Sequence, residues 1–302
     1  MYVIKIRYNS HTITDICHFC IRIIDVPDNL FAVLALAGYY FTFAENFGTV
    51  NRPLILVTND DGVHAPGIGE LIRVMQELGD VFVVAPDSPQ SGMGHAVTIS
   101  NTIRIADMSA QTGFPMFACS GTPVDCVKLA VHKLLPRRPD LVVSGINHGA
   151  NSSINVIYSG TMSAAVEGAV MGLPSIGFSL CDHAYEADFS TGKPYIRQVA
   201  GFVLKNGLAP GTCLNVNIPK GEIKGMKVCR QARARWDEEL DERKDPRGGT
   251  YYWLTGIFTV PDEGNDTDEY ALAQGYVSVV PVQYDLTAYT TLEQLKQQLD
   301  KS

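Results

Sequence analysis

Asp60 and Asp61 are adjacent carboxylates that directly follow a wholly apolar run, Leu54-Ile55-Leu56-Val57, in the string Leu54-Ile55-Leu56-Val57-Thr58-Asn59-Asp60-Asp61-Gly62. Two neighbouring negative charges repel each other and are costly to bury unpaired. A hard divalent cation is the simplest group that would hold them at the end of a buried strand. Two further polar loops follow apolar runs. One is Ala85-Pro86-Asp87-Ser88-Pro89-Gln90-Ser91-Gly92, and the other is Ser144-Gly145-Ile146-Asn147-His148-Gly149. If the three runs are parallel strands, their loops meet at one sheet edge, where open α/β sheets bind ligands. Asp60, Asp61, Ser91 and Asn147 then form an all-oxygen donor set with too few members to fill an octahedron. Such a set fits one Mg²⁺ or Mn²⁺ that keeps water or substrate oxygens. The plainer reading, in which an aspartate only caps the next turn, accounts for one of the pair and gives no reason for two.

A fourth string, Tyr158-Ser159-Gly160-Thr161, precedes a helix starting near Met162. Free backbone N–H groups and the helix dipole make such a terminus an anion site, and Gly160 permits close approach. Ser-Gly-Thr recurs at Ser120-Gly121-Thr122, so the string alone is weak and gains weight only beside a metal loop. Together the elements suggest phosphate-ester hydrolysis by water activated at the metal. Asp60 is the carboxylate expected to do more than bind the metal, by orienting the water. His64, His95 and His148 lie in these loops and are candidates for a general acid, although each alone reads more simply as a loop histidine.

The elements that position these residues follow from periodicity. Leu54–Thr58, Val81–Ala85, Leu141–Ser144, Ser175–Ser179 and Thr212–Asn217 read as strands. Thr98–Ala106 and Phe114–Cys119 read as two more. Helices are expected over Gly67–Leu78, where Gly79 is a stop, and over Pro123–Leu135, Ser163–Met171 and Lys193–Lys205. This alternation implies an α/β fold, a mostly parallel sheet with helices on both faces. The catalytic core spans 52–222. Past residue 222 the character changes to a smaller part, 223–302, of β-rich and helical elements. Its charge-dense stretch Arg230–Arg247, with Trp236 inside it, reads as a solvated loop or hairpin. The closing helix, Thr291 to Asp300, carries Leu292, Leu295 and Leu299 on one face and is expected to dock.

The first 51 residues are of another kind. Leu30 to Phe43 is an uncharged run of 14 residues, short against the roughly 20 a spanning helix needs. A membrane anchor ranks below a packed appendage or a stretch ahead of the true start, and the latter two stay open. Cys17 and Cys20 have a CxxC spacing with no second pair, so chance is the plainer reading. Seven cysteines, an odd number without a framework, fit a reducing cytoplasm better than a disulfide scaffold. The chain of 302 residues is 46% apolar with a net charge of −8. That charge argues against a nucleic-acid duplex partner but leaves room for a small phosphorylated substrate.

The strings Asn59-Asp60-Asp61-Gly62, Ala85-Pro86-Asp87 through Ser91-Gly92, Ser144-Gly145-Ile146-Asn147, and Tyr158-Ser159-Gly160-Thr161 through Glu167-Gly168 resemble the SurE family in order and separation. So do Gly275-Tyr276-Val277-Ser278 and Asp285-Leu286-Thr287. The likeness covers about Pro53 to Thr287. It implies a Rossmann-like core and a C-terminal part that exchanges segments in a homodimer or homotetramer. It implies a metal-dependent hydrolase of nucleoside 5′- and 3′-monophosphates, active in some members on short polyphosphate. It maps the metal ligands onto Asp60, Asp61, Ser91 and Asn147, and phosphate contacts onto Ser159, Gly160 and Thr161. Asn151-Ser152-Ser153-Ile154-Asn155 departs from the glycines frequent there in the family. Two alternatives stand beside this reading. One is a non-catalytic nucleotide-binding module, which has no need of paired carboxylates. The other is a phosphatase using an aspartyl-phosphate, whose two aspartates are ordinarily separated by one intervening residue, whereas Asp60 and Asp61 are adjacent, which counts against it.

Overall fold

The apolar run after Pro53 forms β1 (Leu54–Thr58), and all five residues are buried. A strand with no exposed face belongs inside a sheet that is covered on both sides. The computed structural model has this arrangement; it describes residues 52–184 and 186–300. The expectations for residues 1–51, among them the Cys17/Cys20 spacing and the Leu30 to Phe43 run, lie outside the described residues.

Five elements follow β1: α1 (Pro66–Leu78), β2 (Asp80–Pro86), β3 (Ile105–Asp107), α2 (Ser109–Thr112) and β4 (Met116–Cys119). Next come α3 (Pro123–Leu129), a π-helical turn (Ala130–Leu134) and β5 (Leu141–His148). A 3-10 turn (Ser153–Ile157), α4 (Gly160–Val170), β6 (Ser175–Leu180), α5 (Lys193–Asn206) and β7 (Thr212–Ile218) complete the expected alternation. The remainder comprises β8 (Met226–Val228), β9 (Arg235–Asp237), β10 (Leu240–Lys244), β11 (Thr250–Leu254) and β12 (Ile257–Thr259). The last elements are α6 (Asp268–Ala273), β13 (Val277–Gln283) and α7 (Tyr289–Leu299).

Nine strands form one sheet in the order β3-β4-β2-β1-β5-β6-β7-β13-β8. From β4 through β7 every neighbouring pair is parallel. The chain winds outward through β1, β2 and β4, then returns to the centre and winds the other way through β5, β6 and β7. This is a doubly wound α/β fold, and its winding reverses between β1 and β5. A crevice opens at that reversal, beyond the carboxyl ends of the strands. Ile55, Val57, Val83, Leu141, Val143 and Phe178 of the sheet pack with Leu71 and Met75 of α1 in one core. Burying each such side chain contributes about 1.5–3 kcal/mol.

Helix α1 buries Ile68, Leu71, Ile72 and Met75, the face its spacing predicts. Gly79 ends it, with its N–H donating to the Met75 carbonyl at 2.9 Å. Space, not handedness, requires glycine there, since a Cβ would lie 2.3 Å from the Pro53 carbonyl oxygen.

Two sequence expectations are corrected. Of Thr98–Ala106 only the end is extended, in β3. Ile99 and Ile103 are exposed, and the Thr98 N–H donates to the Asp125 carboxylate at 3.2 Å. Alternation without an apolar face to bury does not make a strand. The next strand begins at Met116, not Phe114.

Beyond residue 222 the main sheet continues without a break, because β13 pairs antiparallel with β7 and β8 pairs parallel with β13. The charge-dense stretch forms part of a two-stranded arm, β9 with β12 at its base and β10 with β11 at its tip. No residue of α7 is buried in the single chain.

Candidate functional site

The buried end of β1 carries Asn59 and Asp60, 1% and 4% exposed. Asn59 Nδ2 donates to the Gly62 carbonyl at 2.9 Å, and Gly62, at φ +99°, turns the chain in a way other residues resist. Two backbone bonds tie the loop after β2 to this turn. The Val63 N–H donates to the Pro86 carbonyl at 2.8 Å, and the Gln90 N–H to the Asp60 carbonyl at 2.7 Å. The second bond sets Ser91 beside Asp60. On the other flank, β5 reaches the crevice through Gly145, where a Cβ would lie 2.2 Å from the Phe178 carbonyl oxygen. The Asp61 carboxylate accepts from the His148 N–H at 3.3 Å and lies 3.5 Å from His148 Nδ1. The His148 ring stands edge-on to Phe189, with centroids 5.0 Å apart.

Helix α4 approaches from the third side. Ser159 is its N-cap and accepts from the Met162 N–H at 3.0 Å. The Thr161 hydroxyl, fully buried, donates to Asp60 Oδ1. A Cβ at Gly160 would come within 2.6 Å of the Asp60 Cβ, so glycine lets the helix end and the carboxylate meet. Burial pushes the Asp60 pKa up to about 6; the Thr161 hydrogen bond opposes that rise and the neighbouring Asp61 charge adds to it.

Asp60, Ser91, Asn147, His148 and Ser159 line one cavity of about 420 Å³. The Asn147 amide nitrogen donates to the carbonyls of Gly149 at 2.8 Å and His148 at 3.2 Å. That fixes the side chain and leaves Oδ1 as its donor atom for a cation. Among the described residues no lysine or arginine forms an ion pair with Asp60 or Asp61; the one such contact is His148 with Asp61. A buried carboxylate with one side-chain partner, beside a second carboxylate and two neutral oxygens, is a donor set that fits a hard divalent cation.

The structure thus brings Asp60, Ser91, Asn147 and Ser159 to one cavity, whereas Asp61 does not line it and meets it through His148. Thr161 is directed to Asp60, and neither it nor Gly160 lines the cavity. Of the three histidines, only His148 stands at the site. His64 is exposed, and His95 Nε2 lies 3.0 Å from Glu167 Oε2. Burial works to raise the Glu167 pKa, but its bonds with His95 and Lys128 outweigh burial and hold it below the usual range. The second Ser-Gly-Thr string caps α3, where Thr122 and Asp125 form a capping box, and it also ties down the segment before β3, since the Thr122 hydroxyl donates to the Ala96 carbonyl at 2.7 Å and Ser120 Oγ accepts from the Arg104 N–H at 2.9 Å. Sequence reasoning missed His183, Asn155, Trp236, Phe258 and Glu269, which also line the cavity. The available signals were a tryptophan among charges at Trp236 and the departure from the family's glycines that includes Asn155.

A doubly wound sheet with adjacent carboxylates, neutral oxygens and a helix N-terminus at its switch point places the chain among the α/β proteins whose ligands bind beyond the strand ends. The family model for survival protein SurE matches residues 55–238, and the chain belongs to that family. It is 60% identical over 250 residues to the 5′-nucleotidase SurE of Flavobacterium psychrophilum, covering 82% of this chain and 97% of that protein. To the 5′-nucleotidase SurE of Cytophaga hutchinsonii it is 61% identical over 250 residues, covering 82% and 96%. The crystal structure of the SurE protein from Aquifex aeolicus superposes with a TM-score of 0.71 at 38% identity, covering 81% of this chain and 99% of that one.

Proposed function

We propose that the chain is a divalent-metal-dependent phosphomonoesterase that releases phosphate from nucleoside 5′-monophosphates. The observation that carries this reading is the convergence of Asp60, Ser91, Asn147 and Ser159 on one cavity, with Asp60 buried and lacking a cationic side-chain partner. The names of the relatives, 5′-nucleotidase SurE, support the same activity. Asp60, Asp61, Ser91 and Asn147 would hold one Mg²⁺ or Mn²⁺, which supplies charge to polarise the ester and makes water a better nucleophile at neutral pH. Ser159, which lines the cavity at the N-terminus of α4, contacts the non-bridging phosphate oxygens there. Thr161 fixes the Asp60 carboxylate, and Asp60 orients the attacking water. The same phosphate site serves nucleoside 3′-monophosphates and short polyphosphate.

The test is phosphate release from a nucleotide panel, with chelator and then with each metal restored. Release is expected with Mg²⁺ or Mn²⁺ and lost with chelator; no release with either metal sinks the assignment. The five described cysteines are all free thiols, which supports a reducing cytoplasm. A homodimer or homotetramer is supported by α7, whose Leu292 and Leu295 are not buried in the single chain. A monomeric mass in light scattering at micromolar concentration overturns it.

A further inference from the structure

Ser91 stands at the site with little of its own to hold it there. It is exposed, and its hydroxyl makes no hydrogen bond among the described residues. No helix or strand forms between β2 and β3. The apolar side chains that follow do not anchor the loop, since Met93, Val97 and Ile99 are exposed. A segment that buries so little apolar surface is held by polar ties or stays loose.

Such ties follow Ser91 along the loop. The Gly94 N–H donates to the Tyr158 carbonyl at 3.1 Å, the Ala96 carbonyl accepts from the Thr122 hydroxyl at 2.7 Å, and the Thr98 N–H donates to the Asp125 carboxylate at 3.2 Å. A further tie comes from a side chain of the loop itself, His95 Nε2, which lies 3.0 Å from Glu167 Oε2. An ionised carboxylate only accepts, so Nε2 carries the hydrogen. Glu167 is a buried residue of α4, and its other oxygen accepts from Lys128 Nζ of α3 at 2.6 Å. One buried carboxylate thus joins the Ser91 loop, α3 and the helix whose first turn meets Asp60. Stability alone gives no reason for this arrangement, because apolar side chains of similar volume commonly match or better a buried ion pair. What the charged cluster adds is one fixed conformation of the loop.

We propose that Glu167 is a positioning residue for the metal site: through His95 it clamps the loop onto α4 and keeps Ser91 beside Asp60, where the two can share a cation. This rests on the reading of Ser91 and Asp60 as cation donors. Lys128 balances the buried charge and makes no hydrogen bond to the loop among the described residues.

Two measurements on the full chain test the clamp. One is amide hydrogen exchange over residues 91–98 in chelated protein, and the other is Mn²⁺ affinity by calorimetry. His95→Ala is expected to speed exchange in the loop and to weaken Mn²⁺ about tenfold or more, the loss typical when an outer partner of a metal site is removed. His95→Gln, which keeps a donor, should recover most of that loss. Adding Glu167→Ala to His95→Ala should weaken Mn²⁺ no further, because the two act as one unit. Lys128→Met should lower the melting temperature and leave Mn²⁺ affinity unchanged. Wild-type Mn²⁺ affinity in His95→Ala overturns the clamp, as do additive losses in the double variant or an equal loss in Lys128→Met. Wild-type protein that binds no Mn²⁺ sinks the metal reading instead, and loop exchange in His95→Ala then decides the clamp by itself.

Discussion

The two ends of the cavity are built by opposite means. At the sheet end, Asp60 lies beyond a strand with no exposed residue, its side chain is packed against Thr161 and Gly160, and its backbone carbonyl accepts from the Gln90 N–H. At the arm end, Trp236 and Phe258 sit on two short strands paired with each other, and Tyr252, Trp253 and Leu254 at the tip of the arm are more than half exposed. The first end cannot move without disturbing the core, whereas the second is tied down by a few long-range hydrogen bonds. The adjacent carboxylates and neutral oxygens lie at the rigid end, and the aromatic pair lies at the end that can vary. Substitutions at the sheet end should therefore be costly and specific in their effects, and those on the arm mild unless they touch the cavity.

The largest effect is expected from Asp60→Asn, which keeps shape but removes the buried charge. Turnover should fall more than about a hundredfold, beyond the loss that an outer partner's removal brings. Circular dichroism should show the fold unchanged, and full activity in this variant would falsify the assignment.

The pH dependence of the chelated protein sharpens the same point. Burial holds Asp60 at about 6, above its ordinary value, so the folded state binds that proton more tightly than the unfolded chain. The favourable contribution is present below about pH 4 and lost as pH rises through about 6. It is worth ~3 kcal/mol. The difference in melting temperature between wild type and Asp60→Asn should open in favour of the variant over that window. A difference that stays flat with pH contradicts the burial argument.

Gly160→Ala places a methyl group against Asp60, and overpacking of this kind costs about 1–3 kcal/mol. A lowered melting temperature together with lost activity is expected. Thr161→Val keeps the shape and removes one donor. The metal concentration for half-maximal activity should rise roughly 10- to 100-fold; an unchanged value means that the Thr161 hydroxyl does not set the Asp60 carboxylate. At the small end, Tyr252→Ser at the arm tip should shift stability by no more than about 0.5 kcal/mol in a denaturant titration. A larger loss would show the arm to be as rigid as the sheet end.

Much of the sheet end could be read before any coordinates. The run before Asp60 has no polar alternation because both faces of β1 are covered, and such a strand must end at the ligand edge of the sheet. Asn147 and Ser91 followed from the same rule. Thr161 did not. It was placed with the phosphate, and its hydroxyl instead meets a carboxylate 101 positions earlier in the chain. Thr98–Ala106 misled for a related reason, since alternation reports a face that can be buried and not whether a neighbouring strand exists to bury it.

What the sequence by itself determined is most of the alternation of strands and helices in the core and the polar loops that end β1, β2 and β5. Those follow from local periodicity and from a topological rule that needs no distances. The tertiary structure alone decided which hydroxyl serves Asp60, which histidine stands at the site, and that an arm rich in charge sets Trp236 and Phe258 against the cavity. Each of these rests on contacts between residues far apart in sequence, such as Trp236 with Asn155 and Asp268 with Ser153. Contacts of that range are fixed when the core closes and leave no periodic trace in the chain.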